Sequence, residues 1–151
     1  NKMSDLRLKK KINVLFVCIH NSARSQMAEA FLKQLADESA FNVESAGIES
    51  GELNPLVVES MKRIGIDISK NKTKTVSSIL KKKTKFNLIV FVCSESQGQS
   101  CPIIPYKTDK IYWDIKDPSA LLGTTSALAK EIDSIRNQIK RKVLELIHNK
   151  M

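Results

Sequence analysis

The chain has 151 residues, enough for one domain of ordinary size. Its 42% hydrophobic and 27% charged residues fit a folded domain with a core and exclude a disordered or low-complexity chain. Basic residues outnumber acidic residues by 25 to 16, and the resulting charge of +9 favours anionic partners, from phosphate-like oxyanions to nucleic acids.

The first half of the chain alternates predicted strands with predicted helices. A largely apolar run rich in β-branched or aromatic residues predicts a strand over 12–17, and a short strand closed by Gly47 is predicted over 41–46. Apolar residues at three- and four-residue intervals predict a helix over 27–35, with Leu35 on its apolar face. Asn54 and Pro55 predict the start of a second helix, and Gly65 predicts its end.

The second half continues the alternation. Its elements are a short helix, a central strand, a short last strand and a long closing helix, predicted over 75–83, 88–92, 111–113 and 128–146. A loop is predicted over 93–110. The whole pattern predicts a single three-layer α/β/α domain over residues 1–151 with a four-stranded parallel sheet, in which residues 1–10 form a flexible basic N-terminus. No apolar run reaches the roughly 18–20 residues of a membrane-spanning helix, so we expect no membrane partner.

Cys18 ends the first predicted strand, and a polar loop leads from it into Arg24 and Ser25. A loop that opens a helix at the carboxyl end of a strand points backbone N–H groups inward, towards a tetrahedral oxyanion. Arg24 would hold two oxygens of that anion, and the positive field would favour the thiolate form of Cys18. The predicted anion-binding residues are Ile19, His20, Asn21, Ser22, Ala23, Arg24 and Ser25. The alternative interpretation is a buried strand-end cysteine beside a solvated arginine.

Within this loop we expect two supporting roles. Ser25 would donate its hydroxyl to the Cys18 thiolate, and Asn21 would hold the shape of the loop by side-chain-to-backbone bonds. A metal pair formed by Cys18 and His20 is not expected, because no third ligand has suitable spacing.

The sequence VLFVCIHNSARSQMAE at 14–29 resembles the opening of the low-molecular-weight protein tyrosine phosphatase superfamily, and its second half resembles the arsenate reductases of that superfamily. Further similar stretches follow in order along nearly the whole chain, at 44–48, 54–55, 65–69, 92–94, 101–102 and 113–118. The resemblance implies the phosphatase-like fold and attack of a thiolate on an oxyanion.

The resemblance also implies a use for all three cysteines. In thioredoxin-coupled arsenate reductases one cysteine attacks arsenate, a second attacks the adduct, and a third resolves the resulting disulfide. These roles fall on Cys18, Cys93 and Cys101 in that order. Without the resemblance, Cys93 is most simply an apolar strand-end thiol and Cys101 an incidental loop residue.

Asp117 before Pro118 matches the position of the family's general acid, which protonates the leaving oxygen. Asp114 is a nearby alternative, and composition alone makes Asp117 a turn residue.

Some relatives bind potassium beside the loop, and Asn21, Glu29 and Ser45 match that site. The acidic residue expected near 73–75 is absent, and lysines occupy the region. We expect a lysine ammonium to replace the ion, so no metal and no potassium dependence are predicted.

The sequence therefore predicts a monomeric arsenate reductase without a cofactor, recycled by thioredoxin or another thiol reductant such as glutaredoxin. The odd cysteine count and the lack of an apolar leader predict the reducing cytoplasm. One alternative is a phosphatase for phosphate monoesters, although Ser119 and Ala120 stand where such enzymes often carry tyrosines. The other is a basic anion- or nucleic-acid-binding module, which the 5% aromatic content disfavours, so no nucleic-acid partner is expected.

Overall fold

In the computed structural model, which describes residues 10–93 and 104–150, four strands form one sheet in the order β2-β1-β3-β4. The strands are β1 (Ile12–Cys18), β2 (Phe41–Gly47), β3 (Leu88–Cys93) and β4 (Asp109–Asp114). Every neighbouring pair is parallel. The predicted four-stranded parallel sheet is confirmed.

The described residues also form four helices and one short turn of 3-10 helix. They are α1 (Arg24–Leu35), α2 (Pro55–Lys62), α3 (Val76–Leu80), the 3-10 turn (Pro118–Ala120) and α4 (Thr125–Lys150). Helix α2 begins as predicted, because the side chain of Asn54 accepts a hydrogen bond from the N–H of Leu56. Its last turn closes at Gly65, whose φ of 83° is a left-handed value that glycine adopts without strain.

Helices cover both faces of the sheet, which confirms the three-layer architecture. Alternate residues of β1 and β3 point to opposite faces, since successive side chains of a strand do so. On one face Phe16 and Val90 pack against α1, α2 and α4 in a large cluster. On the other face Val17 and Phe91 pack against α3 in a smaller cluster. Both central strands are therefore apolar on both sides.

Among the differences from the predictions are the extents of two elements and the exposure of one side chain. Strand β4 runs over Asp109–Asp114 rather than 111–113, because its exposed charged ends pair with β3 without contributing apolar side chains. Helix α3 has only five residues, and the lysines that follow it lie outside the helix. Leu35 was expected on the apolar face of α1 but is 38% exposed at the last residue of that helix.

The carboxyl ends of β1 and β3 are neighbours in the sheet, so Cys18 and Cys93 reach the same edge. Cys101 and nearly all of the predicted basic N-terminus lie outside the described residues. Within the described ranges, no helix combines the length and hydropathy needed to cross a membrane.

Candidate active site

The loop between β1 and α1 is built around the buried side chain of Asn21. Its φ of 56° is left-handed, a conformation that asparagine tolerates better than most residues. Its Oδ1 accepts from the backbone N–H of Lys74 and from Gln26 Nε2, both at 3.0 Å. Its Nδ2 donates to Ser25 Oγ at 2.8 Å and to Ser45 Oγ at 2.9 Å. Asn21 therefore holds the loop as predicted, although mainly through other side chains.

The segment that follows β2 supports the loop from outside. The N–H groups of Ile48 and Glu49 donate to the carbonyls of Cys18 and Ile19, at 3.0 and 2.9 Å. A methyl group on Gly47 would lie 2.6 Å from the carbonyl carbon of His20, closer than side chains pack. The sequence analysis missed this supporting role, for which the only signal was the Ser-Ala-Gly stretch within the family resemblance.

The thiol of Cys18 lies at the bottom of the site and is 3% exposed. Its Sγ is 2.8 Å from Ser25 Oγ, and either atom is able to donate in this pair. Asn21 Nδ2 also donates to Ser25 Oγ, which keeps a second lone pair and its own hydrogen for the sulfur. Ser25 thus contacts the sulfur, and its donation to a Cys18 thiolate stays a prediction.

Arg24 and Asp117 meet beside the thiol. The guanidinium of Arg24 is 2% exposed, and its Nη1 donates to the carbonyl of Ile115 at 2.8 Å. Its Nη2 lies 3.6 Å from Asp117 Oδ2. Asp117 also accepts from the N–H of Ser119 and so begins the 3-10 turn. The turn interpretation of Asp117 is confirmed, and its role as the general acid stays a prediction. Asp114, the alternative acid, is exposed at the end of β4.

A small pocket gathers these groups. It is lined by Cys18, Ile19, His20, Ser22, Ala23, Arg24 and Asp117. A much larger cavity, of about 610 Å³, lies instead at the amino ends of β1 and β2. Its lining mixes lysines with acidic side chains and contains no cysteine, so we place the chemistry at the small pocket.

Cys93 is half-buried at the end of β3, and its side chain packs against the smaller apolar cluster on the α3 face. The thiol of Cys18 is directed instead towards Ser25 at the start of α1. The carbonyl of Cys93 accepts from the N–H of Ile115 at 2.9 Å, and the carbonyl of Ile115 accepts from Arg24. One residue therefore joins the end of β3 to the arginine of the pocket.

Glu29 extends the network that begins at Asn21. Ser45 Oγ donates to Glu29 Oε1, and Lys33 Nζ lies 2.5 Å from Glu29 Oε2. A lysine ammonium does lie on this carboxylate, but it comes from Lys33, one turn along α1, rather than from the lysines near 73–75. Each oxygen of the buried Glu29 carboxylate thus accepts from one of these two side chains, and the independence from potassium stays a prediction. The described residues contain no cluster of three or more histidine, cysteine or acidic side chains suited to a metal.

A family model, described as low molecular weight phosphotyrosine protein phosphatase, matches residues 13–150. The chain is 38% identical over 131 residues to an arsenate reductase of Staphylococcus aureus, covering 86% of this chain and 92% of that protein. A solved structure of an arsenate reductase in the phosphate binding state is 27% identical, with a TM-score of 0.72 over 93% of this chain and 99% of the other. A thioredoxin-dependent arsenate reductase of Corynebacterium glutamicum is 25% identical, with a TM-score of 0.59 over 91% of this chain and 64% of that one.

Proposed function

This chain belongs to the low molecular weight phosphotyrosine protein phosphatase family, and we propose that it acts within that family as an arsenate reductase. The observation that carries the proposal is the arrangement in the small pocket. The buried Cys18 sulfur is hydrogen-bonded to Ser25, and Arg24 and Asp117 stand beside it. Such a group of side chains is suited to nucleophilic attack on a tetrahedral oxyanion.

In the first step the thiolate of Cys18 attacks the arsenic of arsenate. A sulfur–arsenic bond forms and an arsenic–oxygen bond breaks, while Arg24 and the loop N–H groups hold the remaining oxygens. Asp117 gives its proton to the departing oxygen, which leaves as water. No atom is reduced in this step.

In the second step the thiolate of Cys93 attacks the sulfur of Cys18. A sulfur–sulfur bond forms, the sulfur–arsenic bond breaks, and its electron pair stays on arsenic, which leaves as arsenite. The thiolate of Cys101 then attacks the sulfur of Cys93 and releases the Cys18 thiolate. Two thiols are oxidised for each arsenate reduced, so an external dithiol must restore them.

The second step needs the end of β3 to rearrange, because the side chain of Cys93 packs on the α3 face while the Cys18 thiol faces α1. Cys93 is the last residue of its strand, so a change of backbone direction there does not break the paired core of the sheet. The bond from the Ile115 N–H to the Cys93 carbonyl is the contact that such a movement would break.

For the reductant we propose thioredoxin, with the chain acting as a monomer in the reducing cytoplasm. The similarity to a thioredoxin-dependent arsenate reductase supports this choice over glutaredoxin. The test is arsenate-dependent oxidation of thioredoxin, followed with wild-type protein, Cys18→Ser and Cys93→Ser. We expect turnover in the wild type and none in either variant.

Hydrolysis of phosphate monoesters is a second candidate function, because the family match and the pocket around Cys18 serve it equally. It requires Cys18, Arg24 and Asp117 but not Cys93. Aryl phosphate hydrolysis that survives Cys93→Ser, together with no oxidation of thioredoxin by arsenate, would establish the phosphatase instead.

A further inference from the structure

The segment that carries Asp117 is held on both sides of that residue, by Arg24 at the end of the loop over residues 19–25 (the anion loop) and by Asn54 before α2. Before it, the carbonyl of Ile115 accepts from Arg24 Nη1 at 2.8 Å. After it, the hydroxyl of Ser119 accepts from Asn54 Nδ2 at 3.0 Å. Ile115 and Ser119 each lie two residues from Asp117, so the carboxyl group is held between two anchored points.

Asn54 contacts three parts of the site with three different groups. Its backbone N–H donates to the carbonyl of Ser22 in the anion loop at 2.9 Å. Its Oδ1 accepts from the N–H of Leu56 and caps α2, also at 2.9 Å. Its Nδ2 reaches Ser119 in the 3-10 turn, 65 residues away in the sequence.

We propose that Asn54 is a positioning residue that holds the acid-bearing turn, so that the carboxyl group of Asp117 stays over Cys18 throughout the first step of arsenate reduction. The proposal rests on the proposed function. Ser119 fixes the orientation of Asp117, since its N–H donates to Asp117 Oδ1 at 2.9 Å. Asn54 in turn fixes Ser119.

The bond from Asn54 to Ser119 is needed because Arg24, which holds the other side of the segment, also binds the substrate. Arg24 is the guanidinium expected to hold the oxygens of arsenate, and its Nη2 is also the group nearest to Asp117 Oδ2, at 3.6 Å. A bound anion competes for that guanidinium and weakens its hold on Asp117. The bond from Asn54 to Ser119 does not involve the anion-binding groups and so persists when substrate is bound.

Helix capping alone does not explain an asparagine at this position. The cap uses only Oδ1, and serine caps a helix about as well as asparagine does. The amide Nδ2 adds the donor that reaches Ser119. The substitution Asn54→Ser therefore keeps the helix cap and removes the hydrogen bond to Ser119, because the serine side chain is too short to reach that residue.

The experiment compares Asn54→Ser with Ser119→Ala, which removes the acceptor at the other end of the same bond. Arsenite release is measured in a single turnover without reductant, and phosphate affinity is measured by calorimetry. We expect each variant to release arsenite about three- to tenfold more slowly, the range for one hydrogen bond between neutral groups, with phosphate affinity unchanged within about twofold. The double variant is expected to match the single variants, because both remove one bond.

The decisive comparison repeats both substitutions in the Asp117→Asn protein. A positioning role predicts no further loss there, whereas a general loss of structure predicts the same factor in both backgrounds. Unchanged rates in the single variants, or equal losses in both backgrounds, would overturn the proposal. Because Ser119 is on the surface, Ser119→Ala decides the matter if Asn54→Ser does not fold.

Failure of the proposed function gives a different result. If the wild type releases no arsenite, the arsenate reductase proposal fails, and the same variants are compared on hydrolysis of an aryl phosphate, in which the same acid protonates the leaving phenolate. The same three- to tenfold loss, again absent in Asp117→Asn, would keep the positioning role of Asn54. No loss on either substrate would refute it.

Discussion

Replacing Ser25 by alanine tests how the site keeps Cys18 reactive. The substitution removes one hydroxyl group that is fully buried and hydrogen-bonded to Cys18 Sγ. It leaves the backbone of the loop in place, and the Asn21 amide still donates to Ser45. The variant should therefore fold, and its effect should fall on the sulfur.

The magnitude follows from the kind of bond that is lost. A hydrogen bond to a charged group contributes about 1.5–3 kcal/mol, against about 0.5–1.5 kcal/mol between neutral groups. We expect the reacting sulfur of Cys18 to accept the charged kind, so Ser25→Ala should weaken its stabilisation by about 1–1.5 kcal/mol. Since about 1.4 kcal/mol is a factor of ten, the sulfur should react roughly tenfold more slowly.

The assay is alkylation of Cys18 by iodoacetamide in a Cys93→Ser, Cys101→Ser background, because only the thiolate reacts at a useful rate. We expect Ser25→Ala to react about tenfold more slowly than the parent protein. Ser78→Ala on the exposed surface of α3 is the matched control and should react like the parent. An equal alkylation rate in Ser25→Ala and the parent protein would refute the role of the hydroxyl.

Three further predictions concern charged groups. Arg24→Lys should weaken phosphate binding about ten- to hundredfold in calorimetry, because an ammonium cannot hold two oxygens as a guanidinium does. An unchanged phosphate affinity would contradict the role of Arg24 in holding two oxygens of the anion. Turnover of the wild type should be equal in potassium and sodium chloride, because the Lys33 ammonium already pairs with Glu29. Removing that ammonium in Lys33→Met should lower the melting temperature. Stimulation of the wild type by potassium would contradict this role of Lys33. Burial raises the pKa of the Asp133 carboxyl. The hydrogen bond from Arg63 and the other partners of this carboxyl lower the pKa by more, so it lies below its usual value. The stability that this carboxylate contributes is present above its unfolded pKa of about 3.9 and is lost as the pH falls through the lower folded value. In urea unfolding, the stability that Asp133→Asn loses relative to the wild type should therefore shrink from neutral pH to about pH 3. A loss of stability that stays constant with pH contradicts the ion pair.

Apolar periodicity was enough to predict the sheet and its layers. The runs at 12–17 and 88–92 are apolar at successive positions because β1 and β3 are covered on both faces. The ends of elements were predicted less well. Asp109 and Lys110 pair with β3 through backbone groups alone, and their exposed side chains carry no strand signal.

The anion loop could be predicted because its residues are consecutive in the sequence. Cys18, Arg24 and Ser25 are adjacent in space largely because a strand, a loop and a helix follow one another. Lys33 was missed although a signal existed, since it stands four residues after Glu29 on a predicted helix, the spacing at which side chains meet.

The contacts between distant segments had no local signal. Asn54 was assigned to the cap of α2 from its neighbours, but its bond to Ser119 depends on how the 3-10 turn folds back over the loop. The face on which the Cys93 side chain packs depends in the same way on the register between β1 and β3.

The central claim is that three sulfurs pass one disulfide along the chain, and disulfide mapping by mass spectrometry tests it most directly. One equivalent of arsenate is added to reduced protein without reductant, and the digested peptides are analysed. The account predicts a crosslink between Cys93 and Cys101 in the wild type, and one between Cys18 and Cys93 in Cys101→Ser. Arsenite released with neither crosslink formed would contradict it.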